Sequence, residues 1–357
     1  MKKIYFIAFV AFSPLHSYAA VNGSVLNWTE NDFSIRLDSQ TQNKNNQCSG
    51  TILSGRYILT AAHCVANAND TDTIQTAYGH KIPFEWDSRI VHENYIPSSD
   101  EAFDSEDVAL IPMNMLIEHE SVRMLSNLNT LNLTAAQPLS VLGFGGGTLS
   151  KAQFTIERTS EFRVFADQVN ESHTTGGDSG GAWVNASNQL IAVHKGSYRT
   201  STGTGDDLVT SRVTYGTNLK YAKDFILNNI DAWHFPTVAQ VSGSKVITLQ
   251  SLHRANVDFN LSSNVSGDVS IDGGSCVTNR SITPFETCTI ELSSSGGLGT
   301  VTLGDGQEIQ INKTIEVVET PKDEVTPQPE KSGGSMGLLS LLAMFGFGVL
   351  RAKKQTQ

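Results

Sequence analysis

Apolar and polar residues alternate in short runs along most of this chain. Phe33-Ser34-Ile35-Arg36-Leu37, Tyr57-Ile58-Leu59-Thr60 and Leu190-Ile191-Ala192-Val193 are each bounded by Asn, Asp or Gly clusters. Such runs predict strands, and their recurrence from residue 20 to residue 236 predicts an all-β barrel or sandwich. One segment breaks the pattern: Leu219, Ala222, Phe225, Ile226 and Ile230 recur at helical spacing, so this first domain is expected to end in an amphipathic helix. Alternation returns at Val257-Asp258-Phe259-Asn260-Leu261, followed by Gly and Ser turns. Residues 237–319 are therefore read as a small β-sandwich of the immunoglobulin-like kind, the plainer alternative being an extension of the first sheet.

The two ends follow different patterns. Lys2 and Lys3, an apolar run from Ile4 to Phe12, and Ser17-Tyr18-Ala19 predict a secretory signal over residues 1–19, cut after Ala19. Its apolar run is too short to span a bilayer. Residues 320–332 are charged and Pro-rich, which predicts an extended linker. Residues 333–357 hold Gly333-Gly334-Ser335, an uncharged apolar stretch from Met336 to Leu350, and then Arg351, Lys353 and Lys354. As a transmembrane helix that stretch would rise only about 22 Å against a hydrocarbon core of roughly 30 Å, with its basic end in the cytoplasm.

At 357 residues and 39% hydrophobic content the chain suits two domains with real cores. Its net charge of -11 speaks against nucleic acid or an anionic membrane surface as partner. Cys48, Cys64, Cys276 and Cys288 form two close pairs, which in an exported protein predicts disulfides 48–64 and 276–288. A zinc site would need clustered ligands, and only His63 beside Cys64 offers one, so neither a metal nor a cofactor is expected.

Three segments carry candidate chemistry. Thr60-Ala61-Ala62-His63-Cys64 sets an imidazole, which titrates near neutrality and suits a general base, among small residues. Asp104-Ser105-Glu106-Asp107-Val108-Ala109-Leu110-Ile111 places carboxylates at the mouth of an apolar strand; Asp107 abuts the strand directly and is preferred over Asp104. Gly176-Gly177-Asp178-Ser179-Gly180-Gly181 lets the N–H groups of Gly177 and Ser179 converge beside a hydroxyl as an oxyanion hole. Singly, each is an ordinary structural His, surface Asp or Gly turn. Together, in the order His, Asp, Ser, they supply the nucleophile, base and orienting carboxylate of serine-dependent peptide hydrolysis.

These segments resemble the two signature stretches of the trypsin and chymotrypsin family, and Gly143-Phe144-Gly145 is similar to its mid-chain Gly-aromatic-Gly segment. The resemblance implies two antiparallel six-stranded β-barrels with the site in the cleft between them, and a serine endopeptidase acting on proteins or peptides through an acyl-enzyme at Ser179. Cys48 and Cys64 match the family's disulfide near the catalytic histidine. A freshly cut N-terminal amine would pair with Asp178, and Ala20-Val21-Asn22-Gly23 resembles the family's start, with Ala20 where the family has Ile. Signal cleavage would then generate the active amino terminus without a propeptide.

The specificity pocket departs from trypsin. His173 stands where trypsin-like enzymes carry Asp, and Thr175 occupies one place of a missing cysteine pair. Thr174, His194 and Gly196, with His173 nearby, look more like the pocket of glutamyl endopeptidases, which implies a preference for acidic residues. The Gly-Gly tail resembles a Gram-negative sorting signal cut by a rhomboid-type protease, implying type II secretion through the periplasm to the medium or the cell surface; a permanent anchor is the alternative. Two other readings of the whole chain are an inert protease fold and a surface adhesion protein led by residues 237–319.

Overall fold

The computed structural model describes residues 20–39, 47–67, 71–97, 105–203, 209–259, 265–279, 281–304 and 306–318. The signal, Asp104, the linker and the apolar tail all lie outside the described residues. Among those described, no helix is long and apolar enough to cross a membrane.

The architecture is all-β, as the alternation predicts. After a short β1 (Ser24–Val25) come β2 (Ser34–Asp38), β3 (Gln47–Leu53), β4 (Tyr57–Thr60), β5 (Thr73–Gln75), β6 (Lys81–Pro83), β7 (Ile90–Val91) and β8 (Ala109–Pro112). The last seven form one antiparallel sheet in the order β6-β5-β2-β3-β4-β8-β7. Ile35, Leu37, Ile52, Ile58 and Ile111 share one face of this sheet, with no solvent exposure, the burial that makes alternating strands stable. Among the described residues nothing pairs β6 with β7, so this half is an open sheet rather than a closed barrel.

The second half does close. β9 (Pro138–Gly143), β10 (Ser150–Thr159), β11 (Arg163–Gln168), β12 (Ala182–Asn185), β13 (Leu190–Thr202) and β14 (Val209–Asn218) run in the order β10-β11-β14-β13-β12-β9, and a β9–β10 pairing completes the barrel. β1 adds to its β10 edge. The expected helix follows as α1 (Lys223–Ile230), burying Ile226, Leu227 and Ile230 and stopping at Asp231 in a left-handed conformation.

The C-terminal module is a sandwich of two four-stranded sheets. β15 (Ala232–His234), β17 (Gly243–Leu252), β19 (Ser270–Gly273) and β20 (Thr287–Ser294) make one, in the order β15-β17-β20-β19. β16 (Val238–Ala239), β18 (Val265–Gly267), β21 (Gly299–Gly304) and β22 (Gln307–Ile311) make the other. The short helix α2 (Ser275–Thr278) is tied to β20 by the Cys276–Cys288 disulfide. The sandwich begins earlier than sequence spacing suggests, because β15 pairs with β17 rather than with the barrel.

Neutral polar side chains stitch this module onto the barrels. Gln250 Oε1 accepts from the Leu125 N–H (2.9 Å), while its Nε2 donates to the Leu125 carbonyl (2.7 Å) and the Phe285 carbonyl (3.0 Å). His234 Nδ1 accepts from the Ser54 N–H (3.0 Å), which leaves Nε2 to donate to the Arg123 carbonyl (3.1 Å). Leu252 and Phe285 join the hydrophobic cluster of the barrels. All of this lies within one compact unit ending at Val318.

Candidate active site

The loop after β4 carries His63 in a single 3₁₀ turn, Ala62–Cys64. Cys64 is bonded to Cys48 in β3 with a Cα separation of 6.2 Å, so the turn is fixed to the sheet on both sides. Asp107 lies just before β8, fully buried. Its Oδ1 accepts from the His63 backbone N–H (2.9 Å) and its Oδ2 from His63 Nδ1–H (2.7 Å). The Thr217 hydroxyl donates to the Asp107 carbonyl at 3.0 Å, tying this residue to the second barrel. Burial alone would raise the Asp107 carboxyl, but the hydrogen bonds from His63, its imidazole and the Lys195 ammonium hold it below the usual carboxylate range.

Ser179 sits in the turn between β11 and β12. Its carbonyl accepts from the Ser49 N–H at 2.7 Å, and the Ser49 hydroxyl donates to the Gly177 carbonyl at 2.8 Å while accepting from the Phe144 N–H at 2.9 Å. Gly180 has φ +81°, and a Cβ there would stand 2.1 Å from the Ser49 carbonyl and 3.0 Å from Ala61 N, so only glycine lets the serine turn press against the histidine loop. Gly177 also needs a positive φ, +98°. Among the described residues the N–H groups of Gly177 and Ser179 find no acceptor, and two free donors beside a hydroxyl can stabilise a developing oxyanion.

Asp178 faces the other way and is wholly buried. Gly145 N–H donates to its Oδ1 (2.9 Å), Thr175 N–H to its Oδ2 (2.8 Å), and the backbone N–H of buried Ala20 reaches it as well. Burial pushes this carboxyl up to about 6 despite those bonds. Chain cleavage before Ala20 would convert the amide there into an ammonium at a buried carboxylate.

The pocket residues are differently placed. His194 is buried, its Nδ1 accepting from Trp183 Nε1 at 3.3 Å. Burial, with the neighbouring His63 and against the pull of Asp107, lowers it to about 3, so it is neutral. Thr174 is buried and shares a hydrogen bond of 2.8 Å with the Thr214 hydroxyl. His173 is half-buried, bridged to Val21, with its Nδ1 donating to the Glu171 carbonyl at 3.1 Å. A Cβ on Gly196 would meet the Tyr215 hydroxyl at 3.1 Å.

Lys195 is the residue that sequence patterns miss. Its Nζ stands 3.7 Å from Asp107 Oδ2, with only 13% of the side chain exposed. It occupies a bulge between His194 and Gly196, where the β13–β14 register slips, and no period in the sequence announces that displacement. Cys48, His63 and Cys64 bring possible metal-ligating atoms together, but both sulfurs are consumed in the disulfide.

The solved VesB protease of Vibrio cholerae is similar at 20% identity, covering 82% of this chain and 99% of that one, with a TM-score of 0.43. Mouse brain neuropsin, a serine protease, is 20% identical over 58% of this chain and 99% of its own, with a TM-score of 0.45. The inactivated protease paralogue of the scabies mite is 17% identical over 58% of this chain and 97% of its own, at 0.44. No curated protein matches the chain. The family model described as Trypsin matches residues 21–216, more than half of the sequence and all three candidate segments, and on that match the chain belongs to the trypsin family of serine proteases.

Proposed function

We propose that this protein is a secreted serine endopeptidase with Ser179 as nucleophile, His63 as general base and Asp107 as the carboxylate that orients it. The Ser179 hydroxyl adds to the scissile carbonyl as its proton passes to His63 Nε2, and the oxyanion is held by the N–H groups of Gly177 and Ser179. The same proton then leaves with the amine product, and water releases the acyl group by the reverse route. The observation that supports this reading best is Asp107. A buried carboxylate is costly unless its oxygens are satisfied, and both of these bond to His63, which sets the tautomer with Nε2 free to take a proton.

Export, tail removal by a sorting protease, type II secretion and activation by signal cleavage belong to the same proposal, supported by the signal and tail motifs and by the Ala20–Asp178 bond. Amino-terminal sequencing of the exported protein should find Ala20 first; full activity with another start overturns that step. A peptide library varied at the residue before the scissile bond tests the activity itself, with cleavage expected from the native chain and none from Ser179→Ala. The library also tests the acidic preference read from Thr174 and His194, which their engagement with Thr214 and Trp183 weakens.

A further inference from the structure

Ser49 stands where the two halves of the candidate site meet. β4 pairs with β3 only from Thr51 to Leu53, and the edge ahead of Thr51 takes the Ser179 turn instead. Ser49 N–H donates to the Ser179 carbonyl at 2.7 Å and its hydroxyl to the Gly177 carbonyl at 2.8 Å. Its own carbonyl accepts from the hydroxyl of Thr60, the last residue of β4 before the His63 loop, at 2.8 Å. The residue before it, Cys48, is bonded to Cys64 beside His63. One residue of the first sheet is thus tied to the turn of the nucleophile and to the loop of the base.

The two carbonyls that end on Ser49 belong to Gly177 and Ser179, whose N–H groups are the candidate oxyanion donors. Gly177, at φ +98°, has no side chain to restrict it, and rotation there would turn its N–H out of the hole. The peptide that follows it is held at both ends: Ser49 Oγ takes the Gly177 carbonyl, and the Asp178 N–H donates to the Thr175 carbonyl at 3.2 Å. The hydroxyl is itself fixed by accepting from the Phe144 N–H at 2.9 Å, and Ser49 is 1% exposed, which shields these bonds from bulk water. Among the described residues no disulfide braces the turn, since the two present join Cys48 to Cys64 and Cys276 to Cys288.

We infer that Ser49 is a positioning residue for the oxyanion hole, its hydroxyl holding the Gly177–Asp178 peptide so that the N–H groups of Gly177 and Ser179 stay aimed at the reacting carbonyl. This rests on the proposed endopeptidase function. Ser49 touches neither the substrate nor the reacting atoms; it acts through Gly177. Donors fixed before the substrate arrives need no rearrangement as charge develops on the carbonyl oxygen, and that advantage exists in the transition state rather than in the bound peptide. Loss of the hydroxyl should therefore appear in kcat and spare KM.

The test compares Ser49→Ala, Ser49→Thr and Ser49→Val in the full chain, on the library peptide that the native chain cleaves fastest. Ser49→Ala should lower kcat about 10- to 100-fold, approaching the effect of one lost or misplaced oxyanion donor, with KM within about 2-fold. Ser49→Thr keeps the hydroxyl and should retain most of the rate, whereas Ser49→Val, nearly equal in shape, should fall with Ser49→Ala. With Ser179→Ala added to each chain, a fluorescein-labelled copy of the peptide should bind equally with and without Ser49→Ala by anisotropy, because an intact peptide carries no oxyanion. If Ser49→Ala fails to fold, the Thr and Val pair decides. Equal losses in Ser49→Thr and Ser49→Val, or a loss carried by KM and by peptide affinity, overturns the inference. Undiminished cleavage by Ser49→Ala overturns the inference alone, whereas no cleavage of any library peptide by the native chain overturns the endopeptidase reading and the inference with it.

Discussion

The barrels and the C-terminal sandwich both bury polar groups, but of different kinds. Around Ser179 the buried groups are ionisable and converge: Asp107 with His63 and Lys195 on one side, Asp178 with Ala20 on the other. At the seam with the sandwich they are neutral and bridge: Gln250 satisfies Leu125 and Phe285, and His234 is used like an amide; within the sandwich Gln307 pairs both backbone groups of Trp233 at 2.8 Å. A buried charge is expensive and persists where chemistry draws on it; a buried amide satisfies backbone groups at little electrostatic cost. The contrast separates the candidate catalytic cleft from a structural joint, where the sandwich's neutral groups satisfy backbone groups of the barrels.

The sharpest way to break that contrast is to substitute one group from each region. Ser179→Ala or His63→Ala should lower kcat by roughly 10⁶-fold, and Asp107→Asn by roughly 10⁴-fold, without loss of the folded state. Gln250→Leu should do the opposite. It leaves an N–H and two carbonyls unpaired inside the seam, costing about 2–4 kcal/mol of stability by urea unfolding, while kcat/KM on a tripeptide stays unchanged in the folded protein. Activity lost with stability intact at Gln250, or the reverse at Ser179, would undo the division.

A second test uses acid. Burial holds His234 at about 4, below its ordinary 6.5, against the bond to the Arg123 carbonyl and aided by His119. The folded state therefore binds fewer protons than the unfolded one between those values. Stability from this residue is complete above pH 6.5 and should decline by about 3 kcal/mol as pH falls to 4. His234→Gln, which keeps an acceptor and a donor, should flatten that decline in urea titrations; an unchanged slope would remove His234 from the joint.

Asp178 gives the opposite slope. With its carboxyl raised from 3.8 to about 6 by burial, the uncut chain binds an extra proton when folded. Its stability should fall as pH rises through that window, by slightly less than at His234. Cleavage before Ala20 should abolish the fall, because an ammonium then favours the charged carboxylate. Identical pH dependence before and after cleavage would contradict the pairing. The smallest effect belongs to Lys195→Met: losing the cation beside Asp107 removes one of the groups that hold that carboxyl down, and kcat/KM at neutral pH should fall by less than about 10-fold with the fold intact; a loss as large as that of Asp107→Asn would contradict this minor role.

The segments around His63, Asp107 and Ser179 stand out in the sequence because their turns and close packing impose small residues there. Gly177 and Gly180 are needed for positive φ and for contact with Ser49, and Ala61 and Ala62 for close packing. The C-terminal helix and the sandwich were legible through their periods. What escaped notice depends on pairing between distant residues. Ser49 is one small side chain bridging Gly177 and Phe144, Lys195 acts through a bulge, and β15 spans three residues, too few for a period. The open first sheet escaped for the same reason, since alternation predicts strands and not whether the outermost two meet.

The most direct measurement is labelling of the protein with a fluorophosphonate, followed by mass spectrometry of the modified peptide. The account requires a single adduct at Ser179, lost in Ser179→Ala and slowed by roughly 10⁴-fold in Asp107→Asn. An unlabelled folded protein, or an adduct on any other serine, would contradict it.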